Sequence, residues 1–174
     1  MIDSFERNAG ATVHTTTREK LAEAVASILE DSGAEKVVVS HSHDGTIDTD
    51  GIREASNAEI VDASSSSEIG VGERSEAIQD ADVGITEAGF GIADLGVVCV
   101  ELTPGNEGIV SLAPEKHVAV IAADSIYDDS DAVFELMTRF MRKGRDDWIF
   151  ISGPSSTADL GAMVQGIHGP AELD

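Results

Sequence analysis

Residues 16–40, TTREKLAEAVASILEDSGAEKVVVS, decide the fold. Leu21, Val25, Ile28 and Leu29 recur at the spacing that puts them on one face of a helix, so this segment has a single apolar stripe to bury. Thr16 followed by Glu19 has capping-box spacing, and Gly33 is a terminator that tolerates left-handed backbone. Lys36–Ser40 then carries three consecutive valines, too short and too β-branched for a helix and apolar on both sides of a pleat. A strand of that kind is buried on both faces, so the chain opens as an α/β protein.

Working outward, strand and helix patterns continue to alternate. A weak helix near Gly51–Ser56 precedes a short strand around Glu59–Asp62, and a helix over Glu73–Ala81 precedes a strand over Asp82–Glu87. Ile92–Ala93, Val97–Glu101 and Gly108–Leu112 read as consecutive short strands, with Pro104, Gly105 and Asn106 as the turn of a hairpin between the last two. His117–Ala122 is a further buried strand. Asp128–Lys143 is an amphipathic helix with Val133, Leu136, Met137, Phe140 and Met141 on one face, acids at its start and Arg139, Arg142 and Lys143 near its end. Trp148–Ser152 is the last clear strand, and Thr157–Gln165 reads as a helix after it. The expected architecture is a mainly parallel sheet flanked by helices with an embedded antiparallel hairpin. Residues 1–15 show no periodicity and read as a flexible lead-in, leaving 16–174 as one domain.

Charge bounds the partners. Acidic residues number 33 against 11 lysines and arginines, a formal net charge of −22 spread along the chain. Nucleic acid needs a basic stripe, and none is visible. A surface this acidic and this poor in lysine is that of a salt-adapted, halophilic protein. The single cysteine, Cys99, lies in the apolar run Val97–Val100 and reads as a core residue; one cysteine cannot hold a four-cysteine iron–sulfur cluster. The amino terminus lacks a signal pattern and no apolar run approaches 18 residues, so the expected location is the cytoplasm, with no membrane partner.

The segment most suggestive of a ligand site is Gly153-Pro154-Ser155-Ser156-Thr157-Ala158-Asp159, where a strand turns through small hydroxylated residues. Amides at a helix start there would favour an anion. Ser156 and Asp159 also have capping-box spacing, so the same pattern can simply start a helix and bind nothing. The turn matches neither a phosphate-binding Walker loop nor a nucleophile elbow, so no serine hydrolase is supported and the catalytic residues are unknown. His41-Ser42-His43-Asp44 has a metal-like spacing, but a polar loop after a strand explains it better and no metal is assigned.

Three blocks in order resemble the LUD-domain family, of the lactate utilization protein C type. They are Ile85-Thr86-Glu87-Ala88 through Ile92-Ala93-Asp94-Leu95-Gly96, then Ser111-Leu112-Ala113-Pro114-Glu115-Lys116-His117, then Gly153–Asp159 with Gly166-Ile167-His168-Gly169-Pro170. The resemblance implies a fold similar to the NagB/RpiA/CoA-transferase-like group and a role beside iron–sulfur proteins that oxidise L-lactate to pyruvate. Clusters are then expected in those partners and no cofactor in this chain. The family turn usually carries arginine where Ser156 stands and an acid where Gly161 stands, and a basic residue usual before Ser111 is replaced by the stretch Glu107–Val110. Without those guanidinium groups, tight holding of carboxylate or phosphate is not expected. The candidate ligand set is Gly153, Pro154, Ser155, Ser156, Thr157, Asp159, His168, Thr86 and Asp94; His117 also holds a family position. Alternative functions are an enzyme acting on a phosphorylated or CoA-linked small acid, and a ligand-sensing protein without chemistry.

The charge count generates a first prediction. The midpoint of cooperative thermal unfolding rises substantially between low and molar salt, because molar salt shortens the screening length to about 3 Å. An unchanged midpoint over that range removes the salt-adapted reading.

Overall fold

A computed structural model describes residues 3, 5, 7, 11–41, 46–64, 68–103, 105–153, 156–159, 162–165, 170 and 172–174, with backbone alone for 156–159 and 162–165. In chain order the helices are α1 (Leu21–Ser32), α2 (Thr49–Ala55), α3 (Val71–Asp80), α4 (Glu107–Val110) and α5 (Ser130–Met141). The strands are β1 (Lys36–Ser40), β2 (Glu59–Asp62), β3 (Val83–Ala88), β4 (Phe90–Ile92), β5 (Val97–Glu101), β6 (Lys116–Ile121), β7 (Ile126–Tyr127), β8 (Trp148–Ile151), β9 (Ser156–Asp159), β10 (Ala162–Gln165) and β11 (Glu172–Leu173).

The first sheet has the order β11-β6-β3-β1-β2, and all its pairings are parallel. The alternation of β1 shows why helices cover both sides. Val37 and Val39 pack with Val25, Ile28, Leu29 and Ile52 under α1 and α2. Val38 points the other way, to Ala63, Ile78, Ala81 and Val110 under α3 and α4. At the amino edge the Asp82 carboxylate accepts from the backbone N–H groups of Glu35 and Lys36, both at 2.9 Å, pinning the start of β1 to β3. α1 ends as expected at Gly33, whose left-handed φ of 67° lets its N–H reach back to the last turn. Its start differs: a 3-10 turn over Arg18–Lys20 leads in from Thr17, which forms no side-chain cap, so the capping box expected at Thr16 is not made.

The antiparallel pairing lies in a separate sheet of order β7-β4-β5-β8, in which β5 is antiparallel to both β4 and β8 while β4 and β7 are parallel. Only Gly89 separates β3 from β4, and a Cβ there would come within 2.7 Å of the Trp148 ring, so glycine lets the chain pass from one sheet to the other. One face of this sheet lies under α5, where Phe90 is fully buried among Tyr127, Phe140, Trp148 and Phe150, with ring centroids 5.1–6.5 Å away. Arg145 closes the cluster, its guanidinium 4.5 Å from the Phe140 centroid and bonded to both carboxylate oxygens of Glu101. On the other face Phe5, Ala88, Val98, Val100, Ile126 and Leu173 share a core, so part of the unpatterned first fifteen residues is packed rather than loose. Cys99 is buried, and desolvation pushes its thiol up to about 12.

Two sequence expectations are corrected. Gly108–Leu112 is not a strand and forms no hairpin with Val97–Glu101: Glu107–Val110 is a short helix that begins from Asn106. Helical bonding there satisfies backbone groups locally, and the Val110 carbonyl presses so closely on β3 that a Cβ at Gly84 would lie 2.0 Å from its oxygen. Thr157–Gln165 is not a helix; Ser156–Asp159 and Ala162–Gln165 pair as antiparallel strands in register Ser156↔Gln165 to Asp159↔Ala162. β-Branched Thr157 and Val164 suit a strand, and Gly161 would cost a helix interior about 1 kcal/mol.

The close approach at Gly84 is directly testable. Gly84→Ala must displace backbone of α4 and is expected to cost about 1–3 kcal/mol in urea unfolding. An unchanged midpoint would contradict this packing.

Candidate functional site

The route of the chain through the first sheet places its crevice. The β1–β2 crossover runs through α2 on one face, and the β2–β3 crossover runs through α3 on the other. Strand order therefore reverses between β1 and β3, and connections leave the carboxyl ends of these neighbours in opposite directions. In open α/β sheets this is where ligands bind.

The residues gathered at that edge are Ser40 and His41 at the end of β1, Asp62 and Ser64 at the end of β2, and Thr86 and Glu87 near the end of β3. The His41 N–H donates to the Ser64 hydroxyl at 3.1 Å, and His41 Nε2 lies 3.8 Å from the Asp62 carboxylate. Thr46 brings the returning loop back across the edge, its N–H donating to Glu87 Oε1 at 2.9 Å. From the other side Gly105 and Asn106 are fastened to the strand ends. The Ser40 hydroxyl donates to the Gly105 carbonyl, and Asn106 Nδ2 donates to the Ala63 carbonyl at 3.1 Å. Asn106 is the one non-glycine with positive φ among the described residues, a conformation asparagine tolerates better than most. Glu107, 2% exposed, holds this loop from within by accepting from the Thr103 hydroxyl at 2.6 Å and the Thr103 N–H at 3.1 Å.

Behind the edge runs a row of buried polar side chains. Ser40 and Thr86 are register partners on adjacent strands, and the Thr86 hydroxyl is 2.8 Å from His117 Nε2 on β6. Burial pushes the His117 imidazole down to about 4. Its Nδ1 has no partner among the described residues, so a proton added there would bury a charged donor without an acceptor. The ring is neutral at physiological pH.

The sequence-derived candidates fall in several places. Thr86 is at the edge, but fully buried and engaged with His117, so it shapes the site from behind. Asp94 is exposed in the turn after β4, its N–H bonded to the Asp128 carbonyl. Gly153 follows β8 with φ 69°, in the second sheet, not at a carboxyl end of the parallel one. Ser156, Thr157 and Asp159 lie on β9, so no helix-start amides arise there. Pro154, Ser155 and His168, like His43 and Asp44 of the metal-like spacing, lie outside the described residues. Sequence reasoning passed over Glu87, Asn106 and Glu107. A Pro-Gly-Asn turn followed by an acid was read for its turn propensity alone, and only the burial of Glu107 distinguishes it.

A family model described as "LUD domain" matches residues 1–174. The chain belongs to the LUD-domain family. Its relatives include a "Lactate utilization protein C" of Halalkalibacterium halodurans, 30% identical over 91% of this chain and 69% of that protein. A protein so named from Exiguobacterium sp. is 30% identical over 53% of this chain and 42% of its own length, so there the match spans less than half of the relative. The crystal structure of a DUF162 family protein from Deinococcus radiodurans aligns with a TM-score of 0.69 at 18% identity, covering 99% of this chain and 92% of that one, which establishes a shared fold. Among the described residues of this LUD domain, no helix is long and apolar enough to cross a membrane.

Chemically, the edge of this LUD domain is rich in acceptors. Asp62 and Glu87 supply carboxylates that already accept the Ser64 and Thr46 N–H groups, and Gly105 and Ala63 supply carbonyls that accept from Ser40 and Asn106. Such a crevice recognises donors, hydroxyl groups above all, in preference to a bare anion. The His117–Thr86 pair carries its own test. The unfolded state binds a proton near the ordinary value of 6.5 and the folded state only near 4, so the stabilisation is full above pH 6.5 and lost as pH falls toward 4. That loss amounts to about 3 kcal/mol for this group, and His117→Gln removes it from the pH profile. An imidazole titrating near 6.5 in the folded protein by NMR would contradict the buried neutral ring.

Proposed function

We propose that this LUD domain is an accessory, substrate-handling component of a lactate-utilization system, working in a salt-rich cytoplasm beside iron–sulfur proteins that oxidise L-lactate to pyruvate. The observation that carries the reading is the agreement over 91% of the chain with proteins named lactate utilization protein C, from H. halodurans and from Bacillus mycoides. The sequence, with one cysteine, cannot ligate a four-cysteine cluster, so electron transfer through such a cluster would belong to a partner. The acceptor-rich crevice suits the hydroxyl of a 2-hydroxy acid. In this reading the segment Gly153–Asp159, with His168, is a second part of the site, where the hydroxyls of Ser155, Ser156 and Thr157 and the His168 ring would donate to the ligand's carboxylate.

The experiment is affinity purification of the tagged chain from lactate-grown cells in molar salt, paired with lactate consumption after disruption of its gene. Co-purifying iron–sulfur proteins and impaired consumption are expected. Recovery of the chain without an iron–sulfur protein, together with undiminished consumption, would overturn the reading.

A further inference from the structure

Joined to the β1/β3 edge through Thr46, a cavity of about 340 Å³ lies between α1, β6, β11 and the segment 11–18. Its body is apolar, formed by Leu21, Val25 and Ile28 from α1, Val118 and Val120 from β6, and Ile126. One side of the lining is polar in a different way: Thr15, Thr16, Thr17 and Thr46 bring hydroxyls and Arg18 brings a guanidinium. Arg18 donates to the Thr46 hydroxyl at 3.5 Å, makes no ion pair within 4 Å among the described residues, and acts on the neighbouring Glu19 carboxylate through its charge. Asp174 brings the one side-chain carboxylate in the lining, and it pairs with Lys116, which also pairs with Glu172. The cavity therefore sets one guanidinium beside an apolar chamber, in a chain that is otherwise strongly acidic.

We propose that this cavity is a second ligand site, for a small amphipathic monocarboxylate whose apolar body fills the chamber and whose carboxylate meets Arg18 and the threonine hydroxyls. Size and polarity both argue against L-lactate here. Sites that enclose organic ligands of moderate size span about 300–1,000 Å³, and a three-carbon hydroxy acid would leave most of the apolar wall uncovered. Burial of an alkyl body gives the affinity, because each methylene removed from water contributes about 0.8 kcal/mol, whereas the exposed guanidinium selects the head group. The site shares Thr46 with the β1/β3 edge but uses neither His41 nor Glu87.

The test is calorimetric titration of the full chain, in molar salt, with octanoate below its micellar concentration, 1-octanol and L-lactate. Saturable one-to-one binding of octanoate is expected, with 1-octanol about tenfold weaker and no lactate heat at this site. Arg18→Gln, an exposed position, brings octanoate down to the level of octanol. Ala24→Phe, which fills the chamber from α1, abolishes binding of both while the thermal midpoint shows the protein folded. Failure of octanoate to saturate, equal binding of octanoate and octanol by the unmodified chain, or unchanged octanoate affinity in Arg18→Gln would each overturn the proposal.

Discussion

β1 is the strand on which the rest of the structure depends. Val37, Val38 and Val39 are each at most 1% exposed, so both faces of the strand must be covered by apolar neighbours. Covering both faces sends the α2 and α3 crossovers to opposite sides, and opposite crossovers reverse the strand order between β1 and β3. The crevice at their carboxyl ends follows from that burial. No special loop has to open it.

What fills the crevice walls follows from a second constraint, the need to satisfy polar groups that the packing buries. Ser40 reaches the Gly105 carbonyl, Asn106 reaches the Ala63 carbonyl, and Glu107 gathers Thr103 around its carboxylate. These bonds hold Gly105 and Asn106 against the strand ends, while the Val110 carbonyl fits over Gly84 where no side chain intervenes. The second sheet follows β3 directly through Gly89, shares one core with Ala88 and Leu173 of the first sheet, and keeps another around Phe90, separate from the valine core of β1.

Much of the fold was legible because burial on both faces leaves a plain signature. β1, β2 and β5 lie where their apolar runs place them, and α5 follows its apolar stripe to within two residues of the expected ends. The misreadings share a cause. Gly108–Leu112 is apolar and β-branched enough for a strand, but the buried Glu107 carboxylate and the left-handed Asn106 turn it into a helix, a tertiary effect invisible to propensity. Ser156 and Asp159 have capping spacing whether or not a helix follows, and the pairing of β9 with β10 decides the matter against it. For the site, the family blocks pointed to Thr86 and His117, which do meet, but their role behind the edge depends on register between β3 and β6. Glu87 stood inside a quoted block without a reason to single it out, because its partner Thr46 is distant in sequence.

The claim that joins these points is that the β1/β3 edge takes a small hydroxy acid through its hydroxyl. Amide-resolved NMR in molar salt, comparing L-lactate with pyruvate, tests it most directly because the two differ at the group the acceptors would recognise. The account predicts saturable shifts at the amides of His41, Thr46 and Glu87 with L-lactate and much weaker ones with pyruvate. Unmoved amides at all three positions, or equal shifts with both ligands, would contradict it.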